Sequence, residues 1–222
     1  MKTEKTSNRS NGLIQITNLS KFYSKGKIRA VDDLCLTINQ GETFGLLGPN
    51  GAGKTTTLRL LNGLIKPTNG TANINGYDIL TDSQQVKSIS GLLAESPGVY
   101  AKLSAYEFLE FMGSLYGIHK SELKMRINEL LTFFDLLDRQ NDLIEGFSTG
   151  MRQKVLLASA IIHDPEVIFL DEPTAGLDPR AARTVKQLVK DMSNRGKTIL
   201  VSSHRLSVVD ELCDRIGIIH NG

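Results

Sequence analysis

Few folds accommodate a segment such as Gly48-Pro49-Asn50-Gly51-Ala52-Gly53-Lys54-Thr55, set between the apolar run Thr43–Leu47 and a helix predicted over 53–61. Gly48, Gly51 and Gly53 let the backbone turn tightly and aim successive N–H groups at one point. The next helix presents its positive end there. Such a loop is a cradle for phosphate. Lys54 supplies a positive charge for β- and γ-phosphates, and Thr55 offers a hydroxyl to Mg²⁺. The segment therefore predicts a bound nucleoside triphosphate, with ATP the expected one and contacts extending from Gly48, Pro49, Asn50, Gly51, Ala52 and Gly53 to Lys54, Thr55 and Thr56.

Strand and helix patterns alternate along much of the chain, which predicts an α/β fold with a mostly parallel sheet. Residues 167–170 and 198–201 are continuous apolar runs rich in β-branched residues, as strands buried on both faces are. Each ends in polar residues, Asp171-Glu172 after the first and Ser202-Ser203-His204 after the second. In open α/β sheets ligands bind at the carboxyl ends of strands. Residues 13–19 and 31–38 alternate apolar with polar, which predicts antiparallel strands near the N-terminus, with another over 71–76. Between about 96 and 146 strand signals vanish. Phe108, Phe111, Met112, Leu115 and Tyr116 keep helical spacing, as do Leu123, Ile127, Leu130, Leu131 and Phe134. Two amphipathic helices are expected there, packed on each other and on the core, with part of their surface open to a partner helix.

At the strand ends, Asp171 is placed to hold Mg²⁺ through water. A second carboxylate beside it in a partly buried place would repel the first. Near a metal and an attacking water, however, Glu172 serves as a general base. His204 is expected to face the γ-phosphate side of the loop. Ser148, in Phe147-Ser148-Thr149-Gly150-Met151-Arg152-Gln153, can cap the helix after it, and a capped helix start beside glycine is also an anion site. The local sequence leaves both roles open. With 26 basic and 24 acidic residues the net charge of +2 gives no footprint for nucleic acid. Cys35 and Cys213 read as single buried thiols. Residues 1–12 read as a flexible polar tail without a secretory signal, and no apolar run approaches the ~20 residues that span a bilayer.

Taken together, these segments resemble the nucleotide-binding domain of ATP-binding-cassette (ABC) transporters, over nearly the whole chain after about Leu13. Residues 48–55 match the Walker A motif, 147–153 the signature, 167–172 Walker B with its glutamate, 175–178 the D-loop ending in Asp178, and His204 the switch histidine. Tyr23 falls where the family stacks an aromatic on adenine. Glu95 stands where the family has the Q-loop glutamine that contacts Mg²⁺ and relays to the membrane partner. A carboxylate keeps an oxygen for the metal but adds charge. Thr149 and Met151 replace the usual Gly and Gln, a form that resembles exporter-type subunits. If the first glycine needs φ > 0, Thr149 resists it, and the backbone there is expected to differ.

The resemblance implies a P-loop NTPase core in residues 13–222, with an N-terminal antiparallel β subdomain and a helical subdomain over about 96–146. It also implies a head-to-tail homo- or heterodimer, with ATP between Walker A of one copy and Ser148, Thr149 and Gly150 of the other. ATP hydrolysis would drive separate transmembrane permease subunits, in the direction of export, from the cytoplasmic face of the membrane. A soluble ABC ATPase of translation or DNA maintenance is the alternative. Those commonly carry two cassettes or a long coiled-coil insertion, and this sequence shows neither. A non-hydrolysing regulatory module is a third, against which Glu172 and His204 argue.

Overall fold

The computed structural model describes residues 12–94 and 98–222, so Glu95 and nearly all of the polar tail lie outside the described residues. Among the described residues nine strands form two sheets. The first is antiparallel, in the order β2 (Ile28–Asn39), β1 (Gly12–Tyr23), β4 (Asn69–Ile74), β5 (Tyr77–Asp78). The second is parallel throughout, in the order β6 (Ser90–Leu93), β7 (Val167–Asp171), β8 (Thr198–Ser203), β3 (Thr43–Leu47), β9 (Arg215–Ile218). The α/β P-loop architecture expected from the sequence is present.

Every residue of β7 and β8 is buried. Val167, Phe169 and Leu200 point into a core shared with β1, β2, β4 and α1 (Lys54–Leu61). Their neighbours Ile168, Leu170, Ile199 and Val201 point into a second core. That core is covered by α3 (Ala105–Leu115), α4 (Lys120–Phe133), α5 (Thr149–Ile161), α6 (Pro179–Asn194) and α7 (Leu206–Leu212). Alternate side chains of a strand face opposite ways, so these uninterrupted apolar runs hold two layers of helix and sheet together. With both faces buried, the strands are rigid mounts for the polar residues at their carboxyl ends.

The start of α3 is fixed by a capping box: Ser104 Oγ accepts from the Glu107 N–H at 3.2 Å, and Glu107 Oε2 accepts from the Ser104 N–H at 2.8 Å. Those bonds hold the Glu107 carboxyl below the usual carboxylate range. The cysteine readings need correction, whereas the stripe on α3 is partly open as expected, with Phe108 buried and Phe111 and Leu115 exposed. Tyr100, exposed as well, meets the Phe111 ring edge-on at 5.4 Å. Cys35 is exposed rather than buried. Cys213 is half-buried, and burial with the nearby Asp214 charge pushes its thiol up to about 12.

Candidate functional site: a phosphate loop facing two carboxylates

The loop after β3 takes its shape from three glycines used in different ways. Gly51 and Gly53 have φ of 81° and 108°, the left-handed region where a side chain is strained. Gly53 is also in close contact, since a Cβ there would lie 2.1 Å from the Ala30 carbonyl oxygen. Gly48 is not left-handed; it lets the Ile219 carbonyl approach. Gly53 is the N-cap of α1, and no side chain caps that helix. Its first-turn N–H groups are left for an anion.

A cavity of about 260 Å³ opens there, lined by Ala30, Asn50, Gly51, Gly53, Lys54, Thr55, Thr56 and Glu172. Lys54 is 5% exposed. Its Nζ donates to the carbonyls of Gly48 at 2.8 Å and Pro49 at 3.1 Å, and lies 3.6 Å from Glu172 Oε1. The ammonium is held at the cavity by oxygens that a phosphate can replace. Ala52 is buried in the core beneath the loop.

Asp171 is the last residue of β7 and Glu172 follows it directly. Glu172 has φ 48°, an uncommon value for a non-glycine residue, and the two carboxylates take different partners. Asp171, 1% exposed, accepts at Oδ1 from Ser202 Oγ at 2.5 Å, across the β7–β8 register. Glu172 Oε1 accepts from the backbone N–H of His204 and lies 2.8 Å from His204 Nδ1, while Oε2 accepts from Ser203 Oγ at 3.2 Å. Because a carboxylate only accepts, Nδ1 carries the proton of that bond. The structure thus brings Lys54, Glu172 and His204 into one connected group, with Asp171 and Ser202 beside it. Ser202, Ser203 and Ala30 have no role assigned from sequence. The serines were visible as the polar end of a strand, whereas the part played by the Ala30 carbonyl depends on a long-range backbone approach.

Other candidates lie elsewhere. Tyr23, at the end of β1, is exposed and does not line the cavity; Lys21 Nζ sits 5.3 Å from its ring centre. Ser148 is the N-cap of α5, its Oγ accepting from the Met151 N–H at 3.3 Å. Thr149 is the first helical residue and lies outside the left-handed region, so its replacement of glycine strains nothing. Ser148 and Thr149 are exposed, and none of residues 148–150 lines the cavity. A Cβ at Gly150 would lie 3.3 Å from Ala181 Cβ and 3.7 Å from Asp178 Oδ2. Asp178 in turn N-caps α6, accepting from Ala181 and Arg180 N–H groups that hold its carboxyl low. Residues of the signature and the D-loop therefore share one exposed corner.

The chain is similar to proteins of one known family. A family model described as ABC transporter matches residues 31–175. The chain is 42% identical over 213 residues to the ABC transporter ATP-binding protein NatA of Bacillus subtilis, covering 95% of this chain and 87% of that protein. It is 42% identical over 211 residues to the bacitracin transport ATP-binding protein BcrA of Bacillus licheniformis, covering 95% of this chain and 67% of the other. A solved dimeric ATP-binding cassette in a post-hydrolysis state, bound to ADP and Pi, matches with a TM-score of 0.86 at 28% identity, covering 94% of this chain and 95% of that one.

Proposed function

This chain belongs to the ABC transporter family, and from that membership we propose that residues 48–56, Asp171, Glu172 and His204 form its half of an ATP-hydrolysing site that powers a separate membrane permease. The chain is an ATP-binding, ATP-hydrolysing subunit of an ABC transporter. The observation that carries the assignment of residues is the chain of contacts from buried Lys54 through buried Glu172 to exposed His204, at the mouth of an uncapped helix.

Thr55 and Asp171 suit Mg²⁺. Thr55 lines the cavity, and among the described residues Asp171 Oδ2 accepts no hydrogen bond, so it is free to hold a water of the metal. When bound, the metal neutralises phosphate charge. Glu172 takes the proton of the attacking water on the carboxylate oxygen left a free lone pair, since Oε2 accepts only from Ser203. The water oxygen bonds to the γ-phosphorus as its bond to the β–γ bridging oxygen breaks, giving ADP and inorganic phosphate. Lys54 leaves the loop carbonyls for the phosphates, and the His204 Nδ1–H keeps Glu172 oriented.

Ser148, Thr149 and Gly150 then act across a dimer, where the α5 N-terminus meets the γ-phosphate of the other copy. ATP favours the closed pair because only there does it touch both halves. A hollow of about 450 Å³ beside the α5 start, with apolar Val99, Ile144 and Leu156 and charged Glu145 and Arg152, suits docking of the permease. Export is favoured by relatives named for export of Nod factor and of fluoroquinolones, and by Met151 in the signature.

The Glu172→Gln variant tests the site. It should bind ATP as tightly as the parent, accumulate ATP-dependent dimers and turn over at least about 100-fold more slowly. Parental turnover in that variant would remove Glu172 from its role.

A further inference from the structure

We propose that His163 is a positioning residue, the pivot that fixes α5 against strand β6 and thereby aims residues 148–150 at the ATP of the partner copy; this rests on the dimer reading above. His163 lies two residues beyond the end of α5. Its ring stacks on Tyr116, the C-cap of α3, with centroids 3.7 Å apart and planes within 3°. Its Nε2 lies 3.1 Å from the Ser90 carbonyl at the start of β6. One side chain thus joins three elements: a helix of the 96–146 region, the helix behind the signature, and the strand that leads towards residue 95.

The contact is close on the backbone side too. A Cβ at Gly91 would lie 2.0 Å from the Ala160 carbonyl, so β6 rests directly on the last turn of α5. From α4, Arg126 Nη1 donates to the Ile162 carbonyl at 2.8 Å. The carboxyl end of α5 is therefore held from several sides, whereas Ser148 and Thr149 at its amino end are exposed. A helix of 13 residues is about 20 Å long, and a tilt of about 5° at one end moves the other by about 2 Å. Displacements of that size cost a contacting group much of its effect.

The chemistry of the ring supports the assignment. The Ser90 carbonyl only accepts, so Nε2 carries the proton and Nδ1 is a bare lone pair. Nδ1 is buried and has no partner among the described residues. An unpaired buried nitrogen costs stability, and phenylalanine would avoid that cost while keeping the stack. Imidazole supplies both the flat face against Tyr116 and the donor for Ser90. Neither phenylalanine nor glutamine supplies both.

In the Glu172→Gln background, the intact chain would be titrated with ATP in two ways, by fluorescence at concentrations where it is monomeric and by sedimentation for dimer. His163→Ala should leave the monomer titration within about twofold and raise the ATP needed for half-maximal dimer about tenfold. His163→Phe, which keeps the ring, and His163→Gln, which keeps the donor, should each fall between, and Tyr116→Phe should match the parent. All values refer to folded protein, checked by thermal melts. Unchanged dimerisation in folded His163→Ala would overturn the pivot, as would a parallel loss of monomer binding. Failure of the parent to form any ATP-dependent dimer would count against the dimer reading instead.

Discussion

The role proposed for Glu172 depends on the partners its side chain finds. Its φ is 48°, and the two adjacent carboxylates find different partners, Ser202 for one and Lys54, Ser203 and His204 for the other. The residue types at this strand end were legible in the sequence, and so was the repulsion they had to resolve. The resolution was not, because it depends on a torsion and on a register between strands 31 residues apart in the chain. Ser148 shows the same limit: its cap to Met151 is local and readable, while its use as an anion site needs a second molecule. Lys54 opens α1 and, among the described residues, has only the Gly48 and Pro49 carbonyls and Glu172 around its ammonium. Lys54→Ala should therefore weaken ATP binding about 10- to 100-fold, the value of one charge-assisted contact, with the fold intact. An unchanged titration with labelled ATP would contradict the loop assignment.

Among the elements, strands buried on both faces were the easiest to read. The run over 167–170 became Val167–Asp171, and Thr43–Leu47 stands unchanged. The helix α2 (Ser83–Ile89) and strand β6 gave no usable signal. Val86 is the only buried residue of α2, and β6 has four residues and comes after it without a turn. Yet β6 is where His163 anchors. Burial pushes His163 down to about 4, with Arg126 and Lys197 adding to the effect, while the Ser90 bond and Asp164 oppose it; the same stack raises Tyr116 through burial. A histidine lowered in the folded state is protonated first in the unfolded chain, near its ordinary ~6.5. Its neutral clasp is intact above that pH, and stability is lost as pH falls from about 6.5 to about 4. Thermal melts of the parent should therefore drop more steeply over this window than those of His163→Gln, whose side chain does not titrate. Parallel pH curves would mean that His163 protonates as freely folded as unfolded.

At the scale of the whole molecule, one chain presents two incomplete surfaces. The loop cavity has Lys54 and Glu172 but none of residues 148–150 on its walls. Ser148 and Thr149 stand exposed at the head of α5, beside the corner where Gly150 meets Ala181 and Asp178. A helix start that could meet a phosphate is placed where this chain's own loop does not use it. The proposed head-to-tail pair would make both surfaces whole, and two copies of this chain would suffice if each loop met the other's α5. Mixing two chains with one cysteine each tests this, Asn50→Cys in one and Ser148→Cys in the other, with Cys35 and Cys213 replaced and Glu172→Gln in both. Asn50 is exposed and lines the cavity, so its thiol should face the partner's residue 148. Under mild oxidation ATP should produce a covalent mixed dimer, and omission of nucleotide should abolish it. Equal yields without ATP, or a preference for Asn50 to Asn50 links, would contradict the head-to-tail arrangement. ATP binding without any dimer would assign the second half-site to a paralogous subunit.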